Sequence, residues 1–159
     1  MHLEFENITG ILLQGALSEE AVRTLLVDEI SYADGLEHLG SMKLPVPLDY
    51  HGDIADVLHR PNATLILGVL TERFVGADEV VHFTVSNFVN TYYFERRRHD
   101  TPVMKFLEME GVLLDSFRYT NEAAPAQDQF TPFVWSTLHD ALDVDDIFNA
   151  TFERYRLLT

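Results

Sequence analysis

Apolar positions along this chain fall into short runs with two different periods. Residues 3–8 alternate, with Leu3, Phe5 and Ile8 set against Glu4 and Glu6, and residues 11–17 are largely apolar. Both segments read as extended strand material. Behind them, Val22, Leu25, Leu26, Ile30 and Ala33 recur at helical spacing. Ser18 precedes them as an N-cap type, and Glu19 and Glu20 suit the positive end of a helix dipole, so the pattern predicts a helix that Gly35 ends.

Residues 41–52 read as loop, because Pro45 and Pro47 hold an extended Leu-Pro-Val-Pro-Leu segment that cannot be helical. A short helix over 53–60 follows, stopped by Pro61. Residues 63–70 are nearly all apolar, as expected of a strand buried on both faces. Residues 71–75 extend that strand and Gly76-Ala77-Asp78 supplies a turn. From Val80 the pattern alternates again, with Val81, Phe83 and Val85 on one side and His82, Thr84 and Ser86 on the other. The spacing predicts a hairpin with the strand before it.

Within residues 87–99, the Thr-Tyr-Tyr-Phe composition favours a strand. Thr101-Pro102 is a helix-start signal, predicting a helix to Glu110 closed by Gly111. Residues 112–119 read as strand and residues 120–130 as the longest loop. Thr131-Pro132 repeats the helix start and launches a helix to Leu142. A last helix is expected over 145–158, with Ile147, Phe148, Thr151, Phe152 and Tyr155 facing inward. This order predicts a single α+β domain over residues 1–159, with a mixed or antiparallel sheet and helices packed mainly on one face.

With 47% hydrophobic and 11% aromatic residues in 159, the chain has material for a sizeable core. It has no cysteine, which removes disulfides, thiolate nucleophiles and Cys-ligated metal. No basic leader opens it and no apolar run reaches the ~20 residues a spanning helix needs, so a cytoplasmic protein with no membrane partner is expected.

Charge sharpens the picture. Twenty-six acids stand against eleven bases, a formal net charge of −15, and only Lys43 and Lys105 among the bases are lysine. Residues 1–53 carry ten acids and two bases, residues 54–106 six of each, and residues 107–159 ten acids and three bases. Two acidic flanks thus surround a neutral middle that holds the only basic run, Arg96-Arg97-Arg98. Such a field repels nucleic acid and anionic membrane and attracts basic proteins.

Candidate chemistry is sparse. His51, Asp53, Asp56 and His59 form the densest set of potential ligands, and on a short helix Asp56 and His59 would share a face. Two imidazoles and two carboxylates suit a divalent metal such as Zn²⁺ or Mn²⁺, although capping by Asp53 and solvation of the others explain the same residues. His99-Asp100 and His139-Asp140 lack the further ligands that a metal-dependent phosphohydrolase needs. Tyr92, Tyr93, Arg96, Arg97 and Arg98 combine residue types favoured at protein interfaces. No nucleophile elbow or phosphate loop is present, and no catalytic residue is assigned.

Three readings of function follow. The first is a non-enzymatic interaction or assembly protein, binding or inhibiting a basic protein partner, or associating with itself through the arginine strand. The second is a small metal-dependent enzyme of hydrolase type built on residues 49–59. The third is a housekeeping domain adapted to high salt, in which the acidity has no bearing on activity. The first ranks ahead, with no cofactor expected beyond a possible divalent metal.

Overall fold

The computed structural model describes residues 5–25, 34–44, 48–49, 53–68, 79–86, 91–99, 101–110, 112–118 and 126–158. Their ten strands form one sheet: β1 (Phe5–Gln14), β2 (Gly35–Met42), β3 (Leu48–Asp49), β4 (Ile54–His59), β5 (Ala63–Gly68), β6 (Glu79–Ser86), β7 (Thr91–Arg98), β8 (Thr101–Met109), β9 (Val112–Arg118) and β10 (Phe152–Leu158). The order across the sheet is β2-β10-β4-β5-β1-β6-β7-β8-β9, with every neighbour antiparallel, and β3 adds a short parallel pairing to β1. Two α-helices, α1 (Glu19–Leu25) and α2 (Phe130–Leu142), and two single 3-10 turns, Gln127–Gln129 and Ile147–Asn149, complete the described structure.

This architecture overturns the expected α+β arrangement with helices grouped on one face. The fold is sheet-dominated, and its two helices lie on opposite faces. Side chains alternate across a strand, so Leu12 and its neighbours Ile11 and Leu13 point opposite ways. Leu12 joins Leu65, Phe83, Phe94 and Phe106 beneath Phe130, Val134 and Leu138 of α2. Ile11 and Leu13 join Ile66, Val57 and Val80 beneath Val22 of α1. Every residue of β5 is buried, as the apolar run at 63–70 predicts for a central strand.

Aromatic side chains dominate the α2 face. Phe106 stacks on Phe130 at 4.6 Å between centroids, Phe94 meets Phe133 edge-on at 4.9 Å, and Tyr92 leans on Phe130 at 5.5 Å. Gly10 makes room for this layer. It sits directly opposite Phe83 on β6, and a Cβ at position 10 would come within 2.5 Å of the Phe83 ring.

Three predicted helices are strands. Residues 54–59 are β4, residues 101–109 are β8 and residues 152–158 are β10. In β8, Thr-Pro marks a strand start, and Pro102 is accommodated where the β7–β8 register shifts between Arg96 and Arg97. The segments read as helix ends are hairpin turns. His99 at φ 48° joins β7 to β8, and Glu110 at φ 52° joins β8 to β9. These positive φ values are those that two-residue hairpin loops require. The predicted hairpin between residues 63–70 and β6 is also corrected, because β1 lies between β5 and β6 and β6 forms its hairpin with β7.

Other expectations match. Residues 91–98 and 112–118 are strands, and α2 begins one residue before Thr131-Pro132. Ser18 caps α1 as read, its Oγ accepting the Ala21 N–H at 3.1 Å. The stretches 26–33, 45–47 and 69–78, most of the 120–130 segment, and His51 lie outside the described residues. No helix among the described residues is long and apolar enough to cross a membrane.

The C-terminal strand inserts between β2 and β4, and its register is marked by a buried ion pair. Arg154 stands directly opposite Asp56 and donates two hydrogen bonds, Nε to Oδ1 and Nη2 to Oδ2, each 2.8 Å. The Asp56 side chain is 0% exposed and that of Arg154 24%. Removing one partner of such a pair costs about 3–5 kcal/mol, while an apolar pair of similar volume is often neutral. Arg154→Met should therefore lower urea-unfolding stability by about that amount, and adding Asp56→Leu should recover much of it. A single-variant loss below about 1 kcal/mol would show that the pair does not hold β10.

Candidate functional site

A break in the strand pattern builds the most chemically varied site. The β2–β10 register shifts between Arg154 and Tyr155, where Gly40 adopts φ +120°. In a regular strand, residues three apart face opposite sides. The bulge instead brings His38 and Ser41 to the same side, where both meet Glu153 of β10. His38 Nε2 lies 3.0 Å from Glu153 Oε1, and the Ser41 hydroxyl donates to Oε2 at 2.5 Å. Bulges recur next to functional sites because they re-aim side chains in this way.

The neighbouring residue on that face of β10 is Tyr155. Its ring lies 5.2 Å from that of His38, and the Arg23 guanidinium of α1 sits 5.7 Å from its centroid. Burial raises the Tyr155 pKa above its ordinary value; Arg23 opposes this shift, and Glu153 and Glu19 add to it. His59 of β4 faces the same space, its Nδ1 2.8 Å from the Thr64 hydroxyl of β5. These groups, with Val22, Val57 and Glu19, line a cleft of about 270 Å³ between α1 and the sheet. Glu153 holds both the hydroxyl and the imidazole, so the serine meets the carboxylate and not the histidine, and the cluster lacks the Ser–His–acid order of a hydrolytic triad.

Of the proposed metal ligands, the described Asp53, Asp56 and His59 are not brought together. Asp56 and His59 were paired on the premise of a helix; on β4 they point to opposite faces. Asp56 is buried against Arg154, His59 bonds Thr64, and exposed Asp53 lies 3.8 Å from Arg156. Among the described residues, no group of three or more His, Asp or Glu side chains is arranged to hold a metal ion.

The arginine strand divides in the same way. Tyr92, Phe94 and Arg96 point towards α2, while Tyr93, Glu95 and Arg97 point to the other face. Arg96 Nε lies 3.0 Å from Glu79, and its guanidinium sits 5.6 Å from the Phe94 ring centroid. Arg98 approaches the same Glu79 carboxylate at 3.8 Å, and buried Arg97 lies 3.4 Å from Glu95. Arg96 also lines a second cleft, about 350 Å³, with Gln14, Phe133, Ser136, Thr137 and Asp140. Burial and the Glu108 carboxylate together raise the Tyr92 pKa.

At the far end of α2, carboxylates gather on the last flank. Asp140, Asp143 and Asp145 are exposed, and Asp143 closes the helix in the left-handed conformation, donating its N–H to the His139 carbonyl. The helix stops at Leu142, so His139, Asp143 and Asp146 do not continue along one helical face. Arg60 reaches this end through carbonyls, donating to Leu142 O at 3.1 Å and Asp143 O at 3.4 Å. Such a cation suits the negative end of a helix.

The chain matches no known family, no curated protein and no solved structure. Function therefore rests on its own residues.

His139 carries a pH dependence. Its Nε2 accepts the Ile147 N–H at 3.4 Å, which requires the neutral ring, and its face packs on Trp135. Burial lowers its pKa, against the opposing pull of Asp146, Asp140 and Asp145. The unfolded chain thus takes up this proton at higher pH than the folded one. The stabilisation is complete above the ordinary imidazole value and is lost as pH falls through the lower folded value. Urea midpoints measured from about pH 7.5 to pH 5.5 should fall more steeply in the native chain than in His139→Gln. Parallel profiles would remove His139 as the titrating group.

Proposed function

We propose that this chain is a non-enzymatic binding protein whose acidic flanks engage a basic protein partner. The observation that carries the reading is that the two acidic flanks become neighbours, because β2 of the first and β10 of the last pair along seven positions. Their net charges of −8 and −7 follow from ten acids against two and three bases. In the neutral middle segment, Arg96 and Arg98 meet Glu79, and Arg97 meets Glu95. Association would be fast and salt-sensitive, as long-range steering by opposite charge is.

Immobilised protein should retain a basic partner from a lysate of its source at about 50 mM salt and release it by about 500 mM. The Asp140→Asn, Asp143→Asn, Asp145→Asn triple variant keeps the helix end intact, since Asn tolerates the left-handed conformation at position 143. It should weaken capture of that partner several-fold. Capture that ignores both salt and these substitutions would remove the reading.

One observation favours self-association as a second reading. Among the described residues, β9 is the last strand of the sheet and pairs with β8 alone. Met109, Val112 and Leu113 at that hairpin are 46%, 58% and 44% exposed. An exposed apolar end strand is a template for pairing with a second copy. Sedimentation velocity should then show a concentration-dependent dimer that Val112→Lys with Leu113→Lys abolishes. A native chain that stays monomeric across the concentration series would exclude it.

A further inference from the structure

We propose that the cleft between α1 and strands β2, β10 and β4 binds a small carboxylate with a flat apolar body, independently of any protein partner. Most polar groups of this cleft already have hydrogen-bond or ion-pair partners. Glu153 has both oxygens engaged, one by His38 and one by Ser41. His59 is fixed through Nδ1 by Thr64, which leaves Nε2 as the ring's remaining polar atom. Arg23 differs from the other arginines of this half. Arg154 and Arg156 are paired with Asp56 and Glu37, whereas Arg23 is placed by its contact with the Tyr155 ring. A guanidinium lying over an aromatic face keeps its planar fork of donors directed outward, the geometry that takes a carboxylate through two parallel hydrogen bonds.

The rest of the cleft specifies the body of the ligand. Tyr155 supplies an aromatic floor, and Val22 and Val57 are buried apolar walls. At about 270 Å³ the cleft lies at the low end of small-molecule sites, which run from about 300 to 1,000 Å³, so the occupant is small. Glu19 stands exposed on the same helix and marks the side from which a carboxylate is repelled. The overall charge of −15 slows the approach of any anion. At about 0.1 M salt that long-range repulsion is screened beyond roughly 10 Å, and contact with the guanidinium then decides binding.

Benzoate is the probe, with benzyl alcohol and benzylamine as neutral and cationic controls of the same shape. In amide-detected NMR titrations of the full chain, benzoate should give saturable shifts at residues of α1 and at His38, Val57 and Tyr155. Neither control should match it. Arg23→Gln should weaken benzoate about tenfold or more, while the dispersed spectrum shows that the fold is kept. If that variant loosens α1, Arg23→Lys keeps the charge but loses the fork and should weaken benzoate several-fold. Benzoate shifts that do not saturate, or that benzyl alcohol reproduces, would overturn the proposal. So would an affinity that survives both substitutions. A failure to retain a basic protein leaves this result untouched, because the carboxylates removed in that experiment lie at the end of α2.

Discussion

The insertion of the C-terminal strand between β2 and β4 is the constraint on which the rest of the structure hangs, and the Asp56–Arg154 pair marks its register. A strand of seven residues that slipped by one position would turn Phe152 outward and carry Glu153 and Tyr155 into the apolar layer under α2. With Arg154 opposite Asp56, a slip also strands a buried carboxylate without its cation. Buried ion pairs add little net stability compared with apolar packing, but they penalise wrong arrangements heavily. Here that penalty falls on the alternatives to one register.

The two faces of the sheet are finished differently, and this asymmetry produces the cleft. On one face, the thirteen residues of α2 and the segment leading into β10 cover a continuous layer of Phe, Leu and Val. On the other, α1 contributes seven residues, and Val22 is its buried anchor. Among the described residues, polar side chains at the β2–β10–β4 end of this face satisfy one another across strands: Glu153 with His38 and Ser41, and His59 with Thr64. The bulge at Gly40 adds His38 to Ser41, which stands directly opposite Glu153, and the two hold Glu153 in this half-buried place.

Much of the sheet was legible because its central strands have a period that no helix shares. The unbroken run at 63–70, the alternation from Val80 and the aromatic strand at 91–98 all follow from side-chain placement alone. The misreadings have a common physical origin. Thr101-Pro102 and Gly111 are chemically valid helix boundaries, but the same residue types serve two-residue hairpins and strand starts, and the apolar positions between them, 103, 104, 106, 107 and 109, fit a helical face as well as a strand covered on both sides. In β4 and β10, a charged residue at a core-facing position disguised the strand period, since Asp56 and Arg154 look solvent-facing until they are seen opposite each other. The cleft was beyond single-sequence reading because α1, β2, β4 and β10 each supply part of it. His38-Leu39-Gly40-Ser41 contained the one available signal, a glycine between polar residues inside a strand.

The charge pattern gains a different meaning once the pairings are known. Eleven bases cannot neutralise twenty-six acids, so what matters is which carboxylates the bases select. Arg154 takes the fully buried Asp56, Arg97 takes buried Glu95, and Arg96 takes half-buried Glu79. Arg60 turns to the carbonyls that end α2. These cations are thus placed where desolvation makes an unpaired charge most costly, while buried Asp146 is held by the Phe148 N–H instead. Arg23 lies on an aromatic face, at the mouth of a cleft. In a chain with so large an excess of acids, an arginine placed in that way is the feature that structural pairing explains least and that recognition of an anion explains best.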